Sequence, residues 1–228
     1  MPSTELSNFL RVALDVQGGP YSGIHVEDGV ILATDGVMLV AKKYNNLAYL
    51  RGSGSLSPKA AKVLAALAEA TWIGSIEVDG NRVTVTAQTT RYDEQLGAEA
   101  AGAYREVTLE FYCPQTPVKR MLAVLTDESR GWQQIVENPR LKTVKEASAK
   151  DYVALVDDPR NGGELFRQKA DNDTHWYSVA QLRKGLRLFG KNSRLSVRRS
   201  SSGWLTFSDQ WGYTFAVTPF VKHNETQR

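Results

Sequence analysis

The sequence predicts an α+β fold of two similar domains, each with two helices packed on antiparallel sheets. Three observations carry that expectation. Helix starts fall at about residues 3, 57, 116 and 178, each at a Ser or Thr whose side chain can accept from the first free backbone amides. The intervals of 54, 59 and 62 residues are nearly even. A meander of short strands fills each interval, and regularly spaced similar units mark a repeated architecture even where the residues have diverged. Two pairs of units divide the chain near Cys113, into domains 1–113 and 114–228.

The elements follow in order. Ser3 or Thr4 caps a helix through about Val16, with Leu6, Leu10, Ala13 and Leu14 inward and Arg11 outward, and Gly18-Gly19-Pro20 ends it. Strands are expected at Ile24–Val26, Val30–Ala33, Val37–Tyr44 and Leu47–Leu50, with turns at Asp28-Gly29 and Thr34-Asp35-Gly36. Ser57-Pro58 opens the second helix, since proline at the first helical position gives up an amide that has no partner anyway. It runs from Lys59 to Thr71. Strands follow at Gly74–Val78, Arg82–Gln88 and Tyr104–Tyr112, with a loop rich in Gly, Ala and acids at Asp93–Ala103.

Thr116-Pro117 repeats the cap-proline signature and starts a helix over Val118–Thr126. Beyond Trp132 the pattern is least regular, with strands expected near Leu141–Lys145, Tyr152–Val156 and Glu164–Gln168. The clearest helix is Ser178–Arg194, in which Leu182, Leu186 and Phe189 form one apolar stripe. Arg183, Arg187, Lys191 and Arg194 recur at steps of four, four and three and share a neighbouring face. The remaining strands are Arg194–Arg199, Trp204–Phe207 and Tyr213–Val217, before a polar tail at Lys222–Arg228.

Composition narrows the function classes. The chain has 228 residues, 42% of them hydrophobic and 23% charged, as in an ordinary soluble globular protein. A lone cysteine leaves no disulfide framework and no cysteine-rich zinc site. No secretory signal and no apolar run long enough to span a membrane is apparent. A cytoplasmic protein is expected.

Enzyme signals are poor. His25, His175 and His223 are scattered, lack metal-ligand spacing, and read as core or surface histidines. Gly185, Gly190 and Lys191 imitate a phosphate loop, but Asn192 stands where a magnesium-binding hydroxyl belongs and the segment reads as helix. Asp157-Asp158-Pro159 reads as turn chemistry. No catalytic residue, metal or cofactor is expected.

Nucleic-acid signals are better. With a net charge of only +3, any footprint must come from local clustering. The helices supply it through Arg11, Lys59, Lys62, Lys119, Arg120, Arg183, Lys184, Arg187 and Lys191, continued by Arg194. If they share one surface, it would hold phosphates without reading bases.

Two stretches resemble the DNA sliding clamps. Gly23-Ile-His-Val-Glu-Asp-Gly-Val-Ile-Leu-Ala-Thr-Asp-Gly-Val-Met-Leu-Val40 resembles the strand pair of bacterial beta clamps that runs through Ala-Thr-Asp-Gly. Tyr213-Thr-Phe-Ala-Val-Thr-Pro-Phe220 is similar to their final strand and its Val-Met-Pro-Met ending. The resemblance implies a DNA-clamp fold with two inner helices per domain. It implies a non-enzymatic processivity factor that encircles duplex DNA, is opened by a clamp loader ATPase and tethers a DNA polymerase. Bacterial clamps have three domains per chain and dimerise. Two domains per chain resemble PCNA and some phage clamps, which reach six domains as homotrimers. Carried over, the helix cations would face DNA, and Val217, Thr218, Pro219 and Phe220 would help form a groove for partner peptides. Thr218 and Phe220 replace methionines, and the strand expected before the first helix is missing or reduced to Met1-Pro2. The alternative is a clamp-like protein that never closes into a ring and modulates replication or transcription by binding a partner.

Overall fold

The computed structural model describes residues 4–19, 23–27, 29–46, 48–90, 104–112 and 130–221. The expected helix at Val118–Thr126, the loop at Asp93–Ala103, and Cys113, Lys119, Arg120 and His223 lie outside them. The chain divides into two units: residues 1–35 with 41–121, and residues 36–40 with 122–228. The five residues 36–40, which the sequence alone placed with the first half, thus belong to the second unit.

The first unit begins with α1 (Thr4–Val16), which buries Leu6, Phe9, Leu10 and Ala13. Strands β1 (Ile24–Glu27) and β2 (Val30–Thr34) follow, then β3 (Met38–Lys43), of which residues 38–40 belong to the second unit. After them come β4 (Leu50–Leu56), α2 (Pro58–Ala70), β5 (Trp72–Gly80), β6 (Arg82–Thr90) and β7 (Tyr104–Tyr112). The sheet order is β7-β6-β5-β4-β1-β2-β3. The β4–β5 pair is parallel, while β1–β2, β1–β4, β5–β6 and β6–β7 are antiparallel. Helices α1 and α2 pack side by side. Ser57 Oγ accepts from the Ala60 amide at 3.2 Å with Pro58 at the first helical position, as the cap-proline signature predicts.

The strand expected at Leu47–Leu50 is instead β4, at Leu50–Leu56. Its Gly-Ser composition has low strand propensity, but the position requires glycine. Gly52 has φ +82°, and a β-carbon there would lie 1.9 Å from the Val78 carbonyl oxygen of β5. Close approach of two backbones decides this strand, a tertiary demand that alternation of side chains does not reveal.

In the second unit, β8 (Gln133–Glu137) precedes a short helix α3 (Lys142–Glu146) and the strands β9 (Tyr152–Leu155), β10 (Phe166–Gln168) and β11 (His175–Ser178). Helix α4 (Val179–Leu186) leads into β12 (Ser196–Arg199), β13 (Leu205–Ser208), β14 (Tyr213–Val217) and β15 (Phe220–Val221). One sheet orders β3-β14-β13-β12-β8 and another β10-β9-β11-β15. Their core is aromatic. Phe207 stacks on Phe215 with ring centroids 5.6 Å apart, and Phe166 meets Tyr177 edge-on at 6.0 Å. The buried Tyr177 hydroxyl donates to the Gly203 carbonyl at 2.5 Å, and burial raises its pKa.

Two expectations are corrected here. Leu141–Lys145 is not a strand: Lys142–Glu146 is helix α3. The helix read as Ser178–Arg194 stops at Leu186, with Arg187 as its cap. Beyond it the chain makes tight turns, Leu188 N to Gly185 O at 3.1 Å and Phe189 N to Leu186 O at 3.2 Å. No described helix is long and apolar enough to cross a membrane.

Candidate nucleic-acid interface and partner surface

In the first unit the expected cations occupy different situations. Lys59 and Lys62 stand exposed one turn apart on α2, with no ion-pair partner among the described residues. Arg11, on α1, bridges to Glu69 of α2 at 2.5 Å, both side chains about half exposed. An exposed pair of this kind is worth little to stability, and Glu69 competes with a phosphate for Arg11.

In the second unit Arg183, expected as a phosphate contact, binds backbone carbonyls of its own unit. Its Nε donates to the Val144 carbonyl at 2.8 Å, and one terminal nitrogen donates to the carbonyls of Lys145 and Ala147 at 2.7 and 2.5 Å. These carbonyls lie at the C-terminal end of α3, where helical acceptors lack partners of their own. The guanidinium fork therefore closes α3. Lys184 is half-buried, while Arg187, Lys191 and Arg194 are exposed. Because α4 ends at Leu186, these last three do not continue its helical face. The Arg194 amide donates to Gln210 Oε1 at 2.8 Å.

The imitation phosphate loop is helix, turn and packing. Gly185 lies within α4, and a β-carbon there would sit 2.2 Å from the Phe215 ring. Glycine is required at this position by a side chain, not by a ligand.

The structure also gathers cations that sequence reasoning missed. Arg140, Lys142 and Lys145 line one groove of about 690 Å³ together with Arg183, Arg187 and Lys191. The sequence predicts a strand over Leu141–Lys145, which holds Lys142 and Lys145. The local helical signals are the one-turn spacings of Lys142 with Lys145 and with Glu146, because the cap comes from afar. Glu164 accepts from the amides of Lys142 and Thr143 at 3.2 and 2.9 Å, doing the work of an N-cap from another segment.

Of the four expected partner-groove residues, Val217 is wholly buried in β14. It supports the sheet and cannot line a surface groove. The Thr218 amide donates to the Val37 carbonyl at 2.9 Å. Pro219 is half-buried near Gly203, where a β-carbon would approach the proline ring at 3.1 Å. Phe220 is exposed and meets Tyr152 edge-on with ring centroids 5.3 Å apart. Val221 continues this apolar surface and pairs with His175 in the β11–β15 ladder.

Beside that ladder, Asp173 receives two donations from Arg167, at 2.8 and 2.5 Å. The Arg167 bonds, followed by the Ala170 amide, hold the Asp173 carboxyl below the usual carboxylate range. Burial, and next the charge of Arg199, lowers the His175 pKa. His25 is a core histidine, its Nδ1 2.8 Å from Ser55 Oγ. No group of carboxylates, histidines or cysteines among the described residues could hold a metal ion.

No family model matches the chain, and no curated protein matches it by sequence. Solved structures do match it. The DNA polymerase sliding clamp of Bacillus subtilis superposes on 98% of this chain with a TM-score of 0.59 at 12% identity. The DNA polymerase III beta subunit of Borrelia burgdorferi gives 0.55 over 98% at 12% identity. That of Pseudomonas aeruginosa gives 0.56 over 96% at 14% identity. This chain spans 64%, 62% and 65% of those three chains, respectively. Helices set on large, mainly antiparallel sheets over nearly the whole chain give this protein the DNA sliding-clamp fold.

Proposed function

We propose that this protein is a DNA sliding clamp: a non-enzymatic processivity factor that closes into a ring around duplex DNA and recruits a DNA polymerase. The observation that carries this reading is the structural match over nearly the full chain to proteins described as DNA polymerase sliding clamps. Lys59 and Lys62, exposed and without an ion-pair partner among the described residues, support it, since a sliding surface needs sequence-independent phosphate contacts.

The division of the chain into two units favours a homotrimer. The chain spans 62–65% of clamps whose family builds its ring as a dimer of three-domain chains. Two units per chain would reach the same six domains with three copies related by cyclic symmetry. A clamp loader ATPase would open such a ring, and the surface around Thr218, Pro219 and Phe220 would contribute to partner binding.

Light scattering after size exclusion tests the assembly. A chain of 25.3 kDa forming a closed trimer has about three times that mass. A dimer at all concentrations would contradict the trimeric ring, because it supplies only four domains.

A further inference from the structure

The groove between α3 and α4 has two chemistries at once. Leu141, Leu186, Phe189 and Leu195 line it with half-buried apolar surface. Arg140, Lys145, Arg187 and Lys191, all exposed, stand around it. Among the described residues the only carboxylate in the lining is Glu146, and Lys142 lies 3.8 Å from it. The wall is held in place from both ends, by Glu164 on the first amides of α3 and by Arg183 on its last carbonyls. A wall fixed before binding lowers the ordering cost of a ligand.

We propose that this groove docks an acidic peptide segment of a partner protein, anchored by a bulky apolar side chain. The volume of about 690 Å³ suits several side chains. The lining charge selects carboxylates, and the leucine and phenylalanine surface selects an apolar anchor. A nucleic-acid backbone would satisfy the cations but leave that apolar surface wet. The assignment concerns a face apart from Thr218–Phe220 and does not rest on ring formation.

The probe is a fluorescein-labelled peptide of roughly a dozen residues, with Glu interspersed between Leu and Phe at helical spacing. Anisotropy is read against the full chain, with a Glu-to-Lys version as control. The acidic peptide should bind and the basic one should not. Arg140→Glu with Lys145→Glu, both on exposed side chains, should weaken binding about tenfold. Phe189→Ala should weaken it comparably, with a melting curve to confirm folding. Absence of binding, or binding indifferent to the charge-reversed pair, overturns the proposal. So does a duplex oligonucleotide that binds more tightly than the peptide, is weakened by the charge reversal and is untouched by Phe189→Ala. That result would make the groove a phosphate track.

Discussion

Arg183 of α4 donates to the Val144 carbonyl of α3 at 2.8 Å and reaches the carbonyls of Lys145 and Ala147 as well. A residue that sequence spacing assigned to a basic face is thereby a fastener between two helices. Arg183→Met keeps the apolar stem and removes every donor. It should destabilise the protein by about 1–3 kcal/mol in urea unfolding, the range for stranding partly buried acceptors. Amide exchange at residues 144–147 should accelerate with it. Unchanged stability together with weakened DNA association would return Arg183 to the phosphates.

Gly185 and Phe215 supply a second test. A β-carbon at residue 185 would overlap the Phe215 ring at 2.2 Å, so Gly185→Ala should cost about 1–3 kcal/mol as an overpacked core does. Adding Phe215→Leu should recover part of the loss, measured as a non-additive double-mutant cycle. Additive effects would mean that the two positions do not meet.

The same two helices show where the sequence was readable. The start of α4 is legible because Ser178 lies next to the amides it serves, its Oγ accepting from Gln181 at 3.4 Å. Its end is not, because the stripe Leu182, Leu186, Phe189 continues past the true stop. Helix α3 was missed altogether, since its end groups are met by Glu164 and Arg183 from distant segments. Local capping is written locally, and tertiary capping is not. The candidate site follows the same rule. Lys59 and Lys62 were legible because their helix was, whereas Arg140 and Lys145 stayed hidden with α3. Val217 is singled out by likeness to a motif, yet alternation with Tyr213 and Phe215 alone makes it a core position.

His175 gives the pH dependence a sign. Its folded pKa is lowered from 6.5 by burial and by Arg199, so the unfolded chain takes up the proton first as the medium acidifies. The stabilising contribution is complete above about pH 6.5 and is lost as the pH falls from there through the folded-state value. Asp173, lowered by Arg167, behaves with the same sign in a separate, more acidic window below about pH 4. The melting temperature should therefore fall between pH 7.5 and 5.5 in the parent protein. The fall should be smaller in His175→Gln. Equal slopes in the two proteins would remove His175 from the account.

The most direct test of the clamp reading is retention on circular against linear DNA. The protein is mixed at high concentration with a nicked plasmid and passed over a sizing column, in salt that strips ordinary phosphate contacts. The same complex is then linearised and run again. A ring predicts that the protein travels with the circle and is lost once an end is cut. Equal retention on both forms, or loss from both, contradicts a protein that encircles DNA.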